Sequence, residues 1–348
     1  MKIVIANAQV PFVSGGAEIL ANDLQETLIK HGHEVELIKI PFKWYPPEKI
    51  PEHILANRLL DLTESCGYKI DLLIGLKFPA YYINHPNKIL WILHQHRPAY
   101  DLWGTIFQDI PNTELGLQIR NSIIKADNNF IPEGKKIFTI SKNVSGRLRK
   151  FNNMDSTPLY PPLRDPKIFF CANFGDYIFY PSRISTLKRQ ELAVESLKHT
   201  KTGVKLILAG RPDSEHNLQI LNQIIKDNRL IDKIEIITNM SEEEKIILYS
   251  NCLGVIFPPY DEDYGYITLE AFYSKKPVIT TTDSGGPLEF VIHDINGYIV
   301  TPDPRAVAEA MDQLYNNKKK AKAMGESGYD KLHELGLSWD NVIESILS

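Results

Sequence analysis

Short apolar, β-branched runs alternate with amphipathic stretches along nearly the whole chain. That alternation permits few folds: parallel strands buried on both faces, covered by the helices that connect them. The runs Ile3–Ala6, Val35–Ile38, Leu72–Ile74, Ile89–Leu93 and Ile137–Ile140 are the expected strands of the first half, with a helix from about Ala17 to Lys30 after the first of them. The pattern stops at Leu159-Tyr160-Pro161-Pro162-Leu163, where two prolines end any regular element. It restarts with Tyr177–Tyr180, Val204–Ala209, Ile234–Ile237, Leu253–Phe257 and Val278–Thr280. A length of 348 residues suits two such domains. The expectation is therefore an α/β chain of two doubly wound domains, 1–163 and 164–330, with a helical tail, 331–348, whose apolar face carries Trp339 and Val342 and would brace the two. Open α/β sheets bind ligands beyond the carboxyl ends of their strands, which places the expected site in a crevice between the domains.

Composition narrows the class further. Hydrophobic residues make up 43% and charged residues 24%, an ordinary globular balance. Lys77 and Pro79 interrupt the longest apolar candidate, Leu72–Ile83, which falls short of the roughly 18 residues a membrane helix needs. Met1-Lys2 leads straight into the first strand without a secretory pattern, so a cytoplasmic location is expected. Cys66, Cys171 and Cys252 lack metal-ligand spacing and are expected as reduced, buried thiols. A net charge of -4 argues against a nucleic-acid partner. The charge is uneven, +2 through Asp165 and -6 beyond it, with Lys135, Lys136, Lys142, Arg147, Arg149 and Lys150 clustered in the first half. Such a cluster suits either a solvated helix face or peripheral contact with anionic lipid at the inner face of the membrane.

Several loops carry residues with chemical use. After the run Leu253–Phe257 come Glu262 and, eight positions on, Glu270, separated by Gly265. A strand, a loop and a helix start would put Glu262 in the loop and Glu270 one turn into the helix. Carboxylates accept hydrogen bonds from vicinal sugar hydroxyls, while the backbone N–H groups at Gly265, Tyr266, Ile267 and Thr268 would favour phosphate. Arg183 and Lys188 follow the run Tyr177–Tyr180 and could converge on a diphosphate, neutralising a leaving group without a metal ion. Ser14-Gly15-Gly16-Ala17-Glu18, after the first strand, is either a helix-entry turn or a loop that approaches a phosphate closely, and it lacks the third glycine of a dinucleotide fingerprint. His94 and His96 follow the run Ile89–Leu93; no third ligand completes a metal site, which leaves His94 to face a sugar and His96 behind it. Asp283-Ser284-Gly285-Gly286 allows close backbone approach, with Glu289 read as a helix-start residue.

In this order, Gly-Gly-Ala-Glu, the strand-end histidine, Arg183-x4-Lys188, Glu262-x7-Glu270 and the Gly-Gly turn, the chain resembles the retaining, nucleotide-sugar-dependent glycosyltransferases of family four, which have the GT-B fold. The phrases His94-Gln95-His96-Arg97 and Ile140-Ser141-Lys142-Asn143 resemble the branch that builds bacterial surface polysaccharide and lipopolysaccharide. The resemblance implies two Rossmann-like domains facing a cleft, the first for the acceptor and the second for the donor. It implies that Glu262 holds donor-sugar hydroxyls, Glu270 the ribose, and Arg183 with Lys188 the diphosphate, with His94 beside the transferred sugar and Gly16 near the phosphates. No metal or other cofactor is implied. The implied partners are a UDP-, GDP- or ADP-linked sugar and a saccharide or lipid-linked acceptor. Asp263 stands where the family usually keeps a glycine, and Ala209-Gly210-Arg211-Pro212-Asp213 replaces its Gly-Asp-Gly-Pro. Rival functions on the same frame are a nucleotide-sugar epimerase or hydrolase and a silent nucleotide-sugar-binding subunit.

Overall fold

The alternation resolves into two parallel sheets in a computed structural model that describes residues 1–12 and 15–348. In chain order the first elements are β1 (Lys2–Gln9), α1 (Gly16–Lys30), β2 (Glu34–Pro41), α2 (Lys49–Leu59), a small hairpin of β3 (Glu64–Ser65) and β4 (Tyr68–Lys69), β5 (Leu72–Gly75), β6 (Lys88–Ile92), α3 (Glu114–Phe130), β7 (Lys136–Thr139), α4 (Lys142–Asn152) and β8 (Thr157–Pro158). Their sheet runs β2-β1-β5-β6-β7-β8, all parallel, with Ile5 opposite Leu37 on one side and Ile74 on the other. Every residue of β5 and β6 is buried, as parallel strands covered on both faces require. Pro158 sits in the edge strand β8, where a missing N–H is tolerated.

The second sheet repeats the plan. It is formed by β9 (Tyr177–Pro181), β10 (Lys205–Ala209), β11 (Ile234–Ile237), β12 (Gly254–Ile256), β13 (Val278–Thr281) and β14 (Gly297–Val300), in the order β11-β10-β9-β12-β13-β14. The connecting helices are α5 (Gln190–Ser196), α6 (Glu215–Asp227), α7 (Glu242–Asn251) and α8 (Tyr266–Tyr273), followed after β14 by α9 (Pro304–Asn316) and α10 (Lys318–Leu335). Ile178, Leu206, Leu208, Ile256 and Ile279 from the strands pack with Val194, Leu221, Met311 and Leu314 from the helices as one buried cluster. β14 escapes sequence reading because it is short and opens on a glycine. A Cβ on Gly297 would lie 2.1 Å from the Val278 carbonyl oxygen, so the close β13–β14 approach requires glycine there.

The chain separates into two compact units, Met1–Pro162 with Leu337–Ser348, and Leu163–Gly336. The tail region holds parts of two helices rather than one, because Gly336 adopts a left-handed conformation at φ 59° and ends α10. Ser338 then caps α11 (Trp339–Leu347), which belongs to the first unit. There Trp339 meets Trp91 edge-on at 6.2 Å, and Lys136 donates to the Ser345 carbonyl at 3.1 Å.

A buried carboxylate organises the first unit. Asp127, on α3, is fully buried and accepts hydrogen bonds from the hydroxyls of Tyr81 (2.9 Å), Tyr82 (2.7 Å) and Tyr100 (2.6 Å) and from the Gln95 amide (2.8 Å). Burial pushes its pKa up, and the four donors pull against that shift. A carboxyl whose pKa rises on folding contributes stability that is complete below its unfolded value and is lost as pH climbs through its folded value. Urea unfolding across pH 4.5 to 7.5 is therefore expected to show the stability advantage of the native chain over Asp127→Asn shrinking as pH rises. Asp127→Ala, which leaves buried hydroxyls without their acceptor, is expected to cost roughly 1–3 kcal/mol or more.

Candidate functional site

In the second unit the loops after β9, β12 and β13 meet at the carboxyl edge of the sheet. The chain leaves β12 through Pro258 and Pro259 and crosses at Asp261 in a left-handed conformation, φ 44°. It then zips onto the loop after β13: Asp261 N–H donates to the Asp283 carbonyl (2.8 Å), Glu262 N–H to the Ser284 carbonyl (2.9 Å), and Gly286 N–H to the Glu262 carbonyl (2.7 Å). The acidic loop and the Gly285-Gly286 turn, far apart in sequence, are thus one structure. A Cβ on Gly286 would lie 2.5 Å from the Tyr264 carbonyl oxygen, so this glycine makes room for protein backbone. Glu289 is the acidic residue of the single 3-10 turn Gly286–Glu289.

Arg189 locks this edge, and sequence reasoning passed over it. Held in the left-handed region at φ 55°, it donates to the carbonyls of Pro258 and Pro259 (both 2.7 Å), to the Thr281 hydroxyl (2.8 Å) and to both oxygens of Asp283 (2.8 and 2.9 Å). One planar guanidinium therefore ties the β9, β12 and β13 loops together. Burial works to raise the Asp283 pKa, but the Arg189 hydrogen bonds and charge leave it below the usual carboxylate range. The only sequence signal for Arg189 was its place after a strand-end run, shared with its neighbour Lys188.

Lys188 ends the 3-10 turn Thr186–Lys188 and pairs directly with Glu262; the two side chains are 18% and 19% exposed. The structure thus brings together the second of the two predicted cations and the first of the two predicted carboxylates. Its ammonium also lies 5.3 Å from the centroid of the Phe257 ring. Gly265, at φ 92°, gives the sharp entry into α8, where a Cβ would meet the Phe257 ring at 2.9 Å. Tyr266 and Ile267 open the helix, the Thr268 N–H donates back to the Gly265 carbonyl (3.0 Å), and the Thr268 hydroxyl is buried without a partner. Glu270, one turn in, is 15% exposed and faces α7. It accepts from the Tyr249 hydroxyl at 2.6 Å and the Lys245 ammonium at 3.1 Å, partners 21 and 25 positions away that no local motif announced. Arg183 stands apart from these pairs, half exposed and bridged to Asp213 at 3.1 Å.

The first unit carries the remaining predicted residues. Gly15 caps α1 in an extended conformation, its N–H donating to the Glu18 carboxylate at 2.8 Å. Gly16 is the first helical residue, and Ser14 lies outside the described residues. Glu18 is also 3.6 Å from Lys77, a cation that sequence reading had used only to exclude a membrane helix. His94 is half-buried at the end of β6 and its Nδ1 donates to the Gln95 carbonyl at 2.7 Å. His96 is buried between the rings of Phe42 and Phe78, and burial with the neighbouring His94 pushes its pKa down to about 3, so it is neutral. The expected basic cluster is partly dispersed: Arg147 is buried, Arg149 pairs with Asp155, and Lys136 is engaged by α11. Lys135, Lys142 and Lys150 are exposed. Of the three cysteines, all free, Cys252 is buried, Cys171 is half-buried and Cys66 is exposed, which corrects the expectation of three buried thiols. Among the described residues no group of three or more His, Cys, Asp or Glu is placed to hold a metal ion, and no helix is long and apolar enough to cross a membrane.

Residues 172–331, which contain the whole Arg189-centred edge, match the family described as Glycosyl transferases group 1. The mouse Alpha-1,3/1,6-mannosyltransferase ALG2 is 30% identical over 136 residues, 38% of this chain and 32% of that protein, so the chain matches about a third of that relative's length. The structure of WaaG, a glycosyltransferase involved in lipopolysaccharide biosynthesis, superposes with a TM-score of 0.74 at 12% identity, covering 100% of both chains. Anabaena HepE in complex with UDP and glucose superposes with a TM-score of 0.69 at 16% identity, covering 99% of both. The chain has the fold of GT-B glycosyltransferases. The matched residues 172–331 include Arg183-x4-Lys188 and Glu262-x7-Glu270.

Replacing Arg189 tests the architecture of the edge. Arg189→Ala is expected to lower stability in urea by roughly 1–3 kcal/mol, because Asp283 and two proline carbonyls lose their donor. Arg189→Lys is expected to recover little of it, since a point charge cannot reach all three loops. The Asp283 share of this stability is expected above the usual carboxylate range and is lost as pH falls through its depressed value.

Proposed function

We propose that the protein transfers a hexose from a nucleotide diphosphate sugar to a saccharide or lipid-linked saccharide acceptor, with retention of anomeric configuration and without a metal ion. The observation that carries the reading is the Lys188–Glu262 pair at the carboxyl edge of the second sheet, with Glu270 at the head of α8, inside the stretch that matches glycosyl transferases group 1. Support for a nucleotide-linked donor comes from the likeness to HepE in complex with UDP and glucose. Support for a saccharide acceptor in surface polysaccharide or lipopolysaccharide assembly comes from the likeness to WaaG.

In this reading the donor exchanges partners with the site. Its diphosphate takes the Lys188 ammonium and draws Arg183 from Asp213, and the transferred sugar offers hydroxyls to the released Glu262. The vicinal ribose hydroxyls donate to Glu270. Transfer breaks the bond between the anomeric carbon and the phosphate oxygen and forms a bond to the acceptor oxygen on the same face. The acceptor proton passes to the leaving phosphate, whose charge Lys188 and Arg183 neutralise. The exposed Lys135, Lys142 and Lys150 would favour an anionic membrane face, tested by co-sedimentation with phosphatidylglycerol vesicles against neutral ones.

Calorimetry with UDP-, GDP- and ADP-sugars identifies the donor. With the one that binds, Glu270→Ala and Lys188→Ala are each expected to weaken affinity by roughly tenfold or more, as for loss of a charged hydrogen bond of about 1.5–3 kcal/mol. Affinity and turnover within about twofold of native in both variants would overturn the assignment. Product NMR showing inverted configuration, or activity abolished by EDTA and restored by a divalent cation, would overturn retention or metal independence respectively.

A further inference from the structure

Glu270 is held by two donors from one face of α7. Lys245 and Tyr249 lie one turn apart, so their side chains emerge on the same side of the helix and meet the carboxylate together. Tyr249 gives its hydroxyl proton to Oε2 and Lys245 an ammonium proton to Oε1, so each oxygen carries one protein donor. Each carboxylate oxygen has two acceptor directions, which leaves one per oxygen for a ligand. The terminal torsion of a glutamate is otherwise soft, and two donors at fixed positions remove that freedom.

The donors are built to stay. Tyr249 is fully buried, its ring edge-on to Phe179 at 5.0 Å and Phe169 at 5.8 Å. Burial, with the Glu270 charge, keeps its phenol protonated far above its usual range. Lys245 is 18% exposed on its side chain and bridges Glu270 and Glu242. Burial works to lower its pKa, but the two carboxylates leave it above the ordinary lysine value, so it is a permanent cation.

We propose that Lys245 and Tyr249 are positioning residues that fix the Glu270 carboxylate as a two-point receptor for vicinal hydroxyls, and so set a preference for ribonucleotide over 2′-deoxyribonucleotide diphosphates. The inference rests on the donor-site reading above. It adds to that site two residues from another helix, which neither the family match nor the Glu262/Glu270 spacing supplies.

The test compares affinities of the full chain for UDP, GDP and ADP with those for their 2′-deoxy counterparts, using the base that binds tightest. The native protein is expected to prefer the ribonucleotide by about tenfold, and Glu270→Ala to abolish the preference. Lys245→Met and Tyr249→Phe are each expected to reduce the preference by roughly threefold or more while leaving affinity for the deoxynucleotide within about twofold, and Lys245→Arg to restore it. No nucleotide binding, or no preference in the native protein, would overturn the donor-site reading and the inference with it. A native preference lost in Glu270→Ala but kept in both α7 variants would overturn the inference alone. So would tighter binding in Lys245→Met, which would make Lys245 a competitor of the ligand. Thermal unfolding of each variant separates these outcomes from damage to the fold: a lowered midpoint with the preference intact would reduce the α7 contacts to a structural tie.

Discussion

The Arg189 guanidinium is the interaction on which the candidate site depends. Parallel strands deliver their loops to one edge, where backbone hydrogen bonds zip the β12 and β13 loops together but leave their side chains to be tied to the β9 loop. Arg189, from the β9 loop, makes that tie by donating to two carbonyls after β12, a hydroxyl at the end of β13 and the carboxylate of Asp283. The left-handed conformations at Arg189 and Asp261 are held by this network, and strained backbone of that kind persists only where its surroundings over-determine it.

The charged residues of the site are neutralised in pairs before any ligand arrives. Lys188 has Glu262, Glu270 has Lys245 and Tyr249, and Arg183 has Asp213. An isolated charge at the exposures of Lys188, Glu262 and Glu270 would carry a desolvation penalty, whereas a paired one exchanges one partner for another when a ligand enters. The pairs differ in how replaceable they are. Arg183–Asp213 is half exposed and weak, while Tyr249 is buried behind Glu270 and cannot leave.

The first unit solves a similar problem with neutral donors. Asp127 collects three tyrosine hydroxyls and the Gln95 amide, and through Gln95 and Tyr100 it holds both ends of the segment that follows His94. A buried acid is costly unless its acceptor sites are filled, and once filled it specifies one arrangement of the elements around it. The histidine that faces away, His96, is held neutral in an aromatic wall.

The sequence by itself determined the two parallel sheets, the break at Pro161-Pro162 and the strand–loop–helix carrying Glu262 and Glu270. All of these are written in local periodicity and turn residues: apolar runs must be buried on both faces, and a glycine at 265 marks the turn into α8. It missed β14, where four residues beginning with a glycine carry too little pattern. Only the tertiary structure decided which charges pair. Lys245 and Tyr249 reach Glu270 from another helix, Arg189 binds loops 70 and 94 positions away, and the Gly285-Gly286 turn is zipped to the acidic loop rather than standing as a separate ligand contact. Such partnerships depend on where strand order brings distant loops together. Electrostatic energy falls with distance in space, and spacing along the chain does not encode that distance.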